Sequence, residues 1–89
     1  MVTMHLLIKG KVQGVFYRST AAEKAAALKL NGWVKNTLDG AVEAMVSGSE
    51  EAVAQFIAWC RQGPPRAQVT DVVITPKPDD GISGFQVIR

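Results

Sequence analysis

Trp33-Val34-Lys35-Asn36-Thr37, Leu38-Asp39-Gly40 and Ala41-Val42-Glu43-Ala44-Met45-Val46 follow one another near the middle of the chain. The outer two stretches read as strands, and the triplet between them is a tight hairpin signal. Val42, Ala44 and Val46 share one face, while Glu43 and Ser47 share the other. That period of two marks a half-buried strand. The fold then depends on what flanks this hairpin.

On the N-terminal side, Met4, Leu6, Ile8 and Val12 share one parity and His5, Lys9 and Lys11 the other, with Leu7 as an exception. A strand is predicted over 4–12. Thr20-x-x-Glu23 has the spacing of a capping box, and the alanine-rich stretch through Leu30 favours helix. Asn31-Gly32 is a natural stop. On the C-terminal side, Ser47 or Ser49 caps a second helix with Glu50 and Glu51 in its first turn, where the helix dipole favours negative charge. Val53, Phe56, Ile57 and Cys60 give that helix one apolar stripe, and Gly63-Pro64-Pro65 ends it. A strand follows over 69–75, then a polar loop over 79–84 and a short strand over 85–88.

This order predicts an α+β, ferredoxin-like βαββαβ sandwich. Four strands form an antiparallel sheet, a short C-terminal strand is added, and both helices lie on one face. Right-handed crossovers place the first and third strands in the middle. Residues 1–89 read as a single domain, with no linker or low-complexity segment.

Composition narrows the functional classes. Hydrophobic residues are 47% and charged residues 20%, which argues against disorder. No apolar run approaches the ~18 residues of a membrane span. One cysteine, Cys60, excludes an internal disulfide, and with His5 as the one histidine no zinc site is expected. Lys9 and Lys11 interrupt any secretory signal, so a cytoplasmic, reduced protein is expected. The net charge of +2 gives no reason to expect nucleic-acid binding. Its distribution is uneven. Residues 1–36 carry Lys9, Lys11, Arg18, Lys24, Lys29 and Lys35 against Glu23 alone, a balance of +5, whereas residues 37–89 balance at −3. A basic half gathered round a pocket would favour a small anion.

Gly10-Lys11-Val12-Gln13-Gly14-Val15-Phe16-Tyr17-Arg18-Ser19 joins the first strand to the first helix. The first amides of a helix lack intrahelical partners and sit at its positive end, so a loop turning its own amides inward there makes a phosphate cradle. Gly14 permits a backbone conformation closed to other residues. Arg18 offers a planar fork for two phosphate oxygens. The stretch matches neither GxxxxGK[ST] nor GxGxxG.

The same stretch, Gly10 to Arg18, resembles the first signature of the acylphosphatase family. Gly32-Trp33-Val34-Lys35-Asn36, with Gly40, Val42 and Gly48 at fixed offsets, resembles the second. The two signatures span residues 10–48, and the remaining element order also fits. The resemblance implies an enzyme that hydrolyses carboxyl–phosphate anhydrides to a carboxylate and inorganic phosphate without metal or other cofactor. It implies Arg18 and Asn36 as the catalytic pair and the amides from about Val15 to Arg18 as the phosphoryl holder. Gln13, Gly14, Val15, Phe16, Tyr17 and Arg18 are thus the expected phosphate-binding residues. Asn36 shares its parity with Val34, so at the end of its strand it points toward the core side, beneath the cradle. An uncharged carboxamide there could position a water.

The expected partners are a small acyl phosphate and inorganic phosphate, the latter as product and competitive inhibitor. No nucleic acid, no membrane and a monomeric state are expected. Phe16 and Tyr17 could flank an acyl group, but packing beneath the loop is the favoured expectation; for Gln13 it is turn closure, with a direct substrate role as the alternative. Trp33 covers the open sheet face, and Lys9, Lys11 and Lys35 are solvated. His5 is incidental, Cys60 is packed, and Trp59 belongs to the contact surface of the second helix. RNA-recognition modules share the element order but stack bases on middle-strand aromatics, and 41–46 contains none. A phosphate sensor without turnover is the other rival.

Overall fold

The computed structural model describes residues 1–79 and 81–88. The chain forms β1 (Val2–Lys11), α1 (Tyr17–Ala27), β2 (Asn31–Asn36), β3 (Val42–Gly48), α2 (Glu50–Gln62), β4 (Gln68–Lys77) and β5 (Phe85–Ile88). The strand order is β4-β1-β3-β2-β5, with β1 and β3 in the middle as expected. β1 pairs antiparallel with β3 and β4, and β2 antiparallel with β3. β5 lies parallel to β2, so the sheet is of mixed orientation. Both helices pack on one face, which gives the ferredoxin-like sandwich.

Alternation builds the core. Leu6, Ile8, Val34, Val42, Ala44 and Val46 face the helices and are buried, and Val53, Phe56 and Cys60 of α2 meet them. Thr3 and Ser47 are the exceptions, buried polar residues satisfied by a hydrogen bond from Thr3 Oγ1 to Ser47 Oγ (3.0 Å). Ser49 caps α2 by accepting from the Ala52 amide (3.1 Å), with Glu50 and Glu51 in the first turn, and Gly63 closes its C-terminus.

The structure corrects both ends of α1. Thr20 is inside the first turn and not at the cap; its hydroxyl donates to the Phe16 carbonyl (2.8 Å), so there is no capping box. The helix also stops before Asn31-Gly32. Lys29 adopts φ 58, and the Leu30 amide donates to Ala25 O (2.9 Å) while that of Lys29 donates to Ala26 O (3.1 Å). This is a Schellman closure with lysine where glycine is usual. The strands differ by one or two residues from the sequence pattern. β1 ends at Lys11, and its register against β4 slips at Lys9/Gly10. Gly10 has φ 125 there, and a Cβ would strike the Gln68 carbonyl.

Candidate active site

The loop between β1 and α1 brings its backbone to the start of the helix. Val12 and Val15 are buried and anchor the loop, while Gly14 takes φ 74 between them. Phe16 also lies in the left-handed region, at φ 66. Such a conformation is unusual for a bulky residue and is held only where its surroundings impose it. Here the Phe16 carbonyl accepts from the Thr20 amide and from the hydroxyls of Ser19 and Thr20. Among the described residues, none accepts from the amides of Val15, Phe16, Tyr17, Arg18 or Ser19. An unsatisfied run of donors at a helix start is an anion-receptive surface.

Tyr17 fixes that helix start to the rest of the molecule. It is 2% exposed, its hydroxyl donates to the Cys60 carbonyl (2.8 Å), and its ring packs on Trp59 (centroids 5.2 Å apart). Burial pushes its phenol well above the ordinary range and pushes the Cys60 thiol up to about 12, so both stay neutral near pH 7. Phe16 does not pack under the loop as its sequence context suggested. Its αL backbone turns the ring outward, leaving it 75% exposed.

A cleft of about 240 Å³ opens at this point, and Arg18 and Asn36 both line it, with Gly14, Phe16, Tyr17 and Ser19. Arg18 is the one charged side chain on its wall among the described residues. Its Nη1 donates to the Ile88 carbonyl of β5 (3.1 Å), and among the described residues the other guanidinium donors have no acceptor. Asn36 closes β2 opposite Val42, and its carboxamide has no hydrogen-bond partner among the described residues. The cleft therefore combines a run of amides, a guanidinium fork and a neutral carboxamide. Such a set can hold a tetrahedral oxyanion and orient a neighbouring water.

Gln13 does not line the cleft. Its Nε2 donates to both Thr37 O and Ala41 O (2.8 Å each), tying the loop to the hairpin beside Asn36. The Val15 side chain likewise belongs to the core, leaving its amide as its polar contribution to the loop. Sequence reasoning did not single out Val12 or Ser19 as cleft residues; the first-turn position of Ser19 was the available signal. His5 and Lys35 are also less idle than expected. His5 Nε2 meets Glu43 Oε2 at 2.6 Å, Lys35 Nζ lies 3.6 Å from Glu43 Oε1, and the Lys35 ammonium sits over the Trp33 ring. This network covers the sheet face opposite the helices. Lys9 and Lys11 are exposed, as expected.

A ferredoxin-like sandwich with an amide-and-arginine cleft between its first loop and second strand places the protein in a class of small α+β domains. Comparisons narrow the class. The acylphosphatase family model matches residues 4–87. The chain is 46% identical to an acylphosphatase of Methylococcus capsulatus, covering all of this chain and 98% of that one. It is 50% identical to an acylphosphatase of Albidiferax ferrireducens, covering 97% and 92%. The crystal structure of acylphosphatase from Bacillus subtilis superposes with a TM-score of 0.97 at 34% identity, each chain being covered completely. The chain belongs to the acylphosphatase family, and it is a hydrolase.

Proposed function

We propose that the protein hydrolyses acyl phosphates in this cleft, without a metal, using Arg18 and Asn36. The amides of residues 15–18, with the backbone at Gln13 and Gly14 shaping the turn, cradle the phosphoryl oxygens, and Arg18 grips two of them. Asn36 aims a water at phosphorus. The water oxygen–phosphorus bond forms as the phosphorus–acyl oxygen bond breaks. The electron pair leaves with the carboxylate, and both water hydrogens end on the released phosphate. Because the leaving group is a carboxylate and the transition state is loose, positioning and charge stabilisation supply most of the rate, and no strong general base is needed. The cleft wall carries no carboxylate or histidine among the described residues.

One observation carries this reading: an acceptor-free run of amides, a guanidinium and a free carboxamide share a single small cleft. The test is phosphate release from benzoyl phosphate with a chelator present, by the protein as a cytoplasmic-type monomer at neutral pH. Turnover with competitive inhibition by inorganic phosphate is expected. Binding of phosphate without turnover would assign a sensor instead.

A further inference from the structure

Two other concavities each share a lining residue with the cleft. On the Asn36 side, a depression of about 420 Å³ is shared through Asn36 and bordered by Lys35, Leu38 and Glu43. On the Phe16 side, one of about 430 Å³ is shared through Phe16 and walled by Val15, Thr20, Pro64, Pro65 and Arg66. The chemistry chooses between them. In phosphoryl transfer the attacking and leaving oxygens lie roughly in line across phosphorus. If water is handled from Asn36, the acyl oxygen must depart away from Asn36, which favours the depression that Asn36 does not line.

We infer that the Phe16–Pro65–Arg66 depression is the acyl subsite, and that it suits acyl groups that are apolar beside the carbonyl and anionic at the far end. This rests on the hydrolase reading above. The outward ring of Phe16, which the core does not use, supplies a wall next to the scissile bond. Pro64 and Pro65 add lining whose backbone φ is fixed, so little freedom is lost when a ring binds there. Arg66 forms no ion pair among the described residues, so its charge is available to a distal carboxylate at the rim.

The experiment compares kcat/KM for acetyl, benzoyl and 4-carboxybenzoyl phosphate in the wild type, Phe16→Ala, Arg66→Ala and Arg66→Glu. Phe16→Ala is expected to lower the benzoyl-to-acetyl ratio. Arg66→Ala is expected to lower the 4-carboxybenzoyl-to-benzoyl ratio about three- to fivefold, the scale of an exposed charge pair, and Arg66→Glu to lower it further. High salt should erase the Arg66 effect in the wild type, which a structural role for Arg66 would not predict. Unchanged ratios in the Phe16 and Arg66 variants would overturn the subsite while leaving the hydrolase reading intact. Failure of the wild type to hydrolyse any of the three would sink the hydrolase reading itself.

Discussion

The Arg18 guanidinium donates to the carbonyl of Ile88, 70 residues later in the chain (3.1 Å). A side chain on the first turn of α1 is thus steadied by the last strand of the sheet, which reaches it by running parallel to β2. Stopping the chain after Gln86 should lower kcat/KM by roughly three- to tenfold, the scale of one lost hydrogen bond. Retention of full activity by that variant, with its Tm checked in parallel, would mean that β5 does not orient Arg18.

Arg18 and Asn36 should fail in different ways. Arg18→Ala is expected to cost about 3–4 kcal/mol of transition-state stabilisation, or 10²–10³ in rate, and to weaken phosphate inhibition. Arg18→Lys should do little better, since an ammonium lacks the fork. Asn36→Ala should abolish most turnover while the inhibition constant for phosphate barely moves. Steady-state kinetics with phosphate titration separate the two roles; equal loss of phosphate affinity in both variants would contradict the division.

Gln13→Ala should destabilise the protein by about 1–3 kcal/mol, because two hairpin carbonyls lose the same donor. Urea denaturation gives the figure. Activity under conditions where the variant is folded should fall less than in Arg18→Ala, as the tie supports the loop and makes no cleft wall.

Lys29→Gly should stabilise the fold by about 0.5–1 kcal/mol, since a left-handed residue without a Cβ removes steric cost that the entropy of glycine only partly offsets. Activity should be unchanged. A lowered Tm would show that the lysine side chain has a role at that helix end.

The Glu43 carboxyl is held below its ordinary value of 4.5, first by its hydrogen bond with His5, against the opposing effect of burial, and further by Lys35. A depressed folded-state pKa contributes stability above the unfolded value, and that contribution disappears as pH falls through the folded one. Tm should therefore decline in acid below about pH 4.5, and Glu43→Gln should decline less steeply. His5→Gln should leave the pH–rate profile as it was, because the network lies on the sheet face away from the cleft wall.

Strand and helix order were legible because alternation in 42–46 and the stripe Val53, Phe56, Ile57, Cys60 report burial directly. The ends of α1 were not. Thr20-x-x-Glu23 fits a capping pattern locally, but the conformation of Phe16 starts the helix at Tyr17, and no propensity foretells αL at phenylalanine. Lys29 hid the C-terminus for the same reason. That Arg18 and Asn36 would line one cleft was legible through motif and parity. The pair of hydrogen bonds from Gln13 was not, since its acceptors are carbonyls 24 and 28 residues away and a carbonyl has no letter in a sequence. The His5–Glu43–Lys35 network needed the β1–β3 register, which depends on tertiary pairing.

The buried phenol of Tyr17, seated on the carbonyl of Cys60, joins the first residue of one helix to the end of the other. A molecule of this size has no inert frame behind its reactive loop. Changes that merely reshape the second helix would be transmitted through this bond to the unpartnered amides at the start of the first.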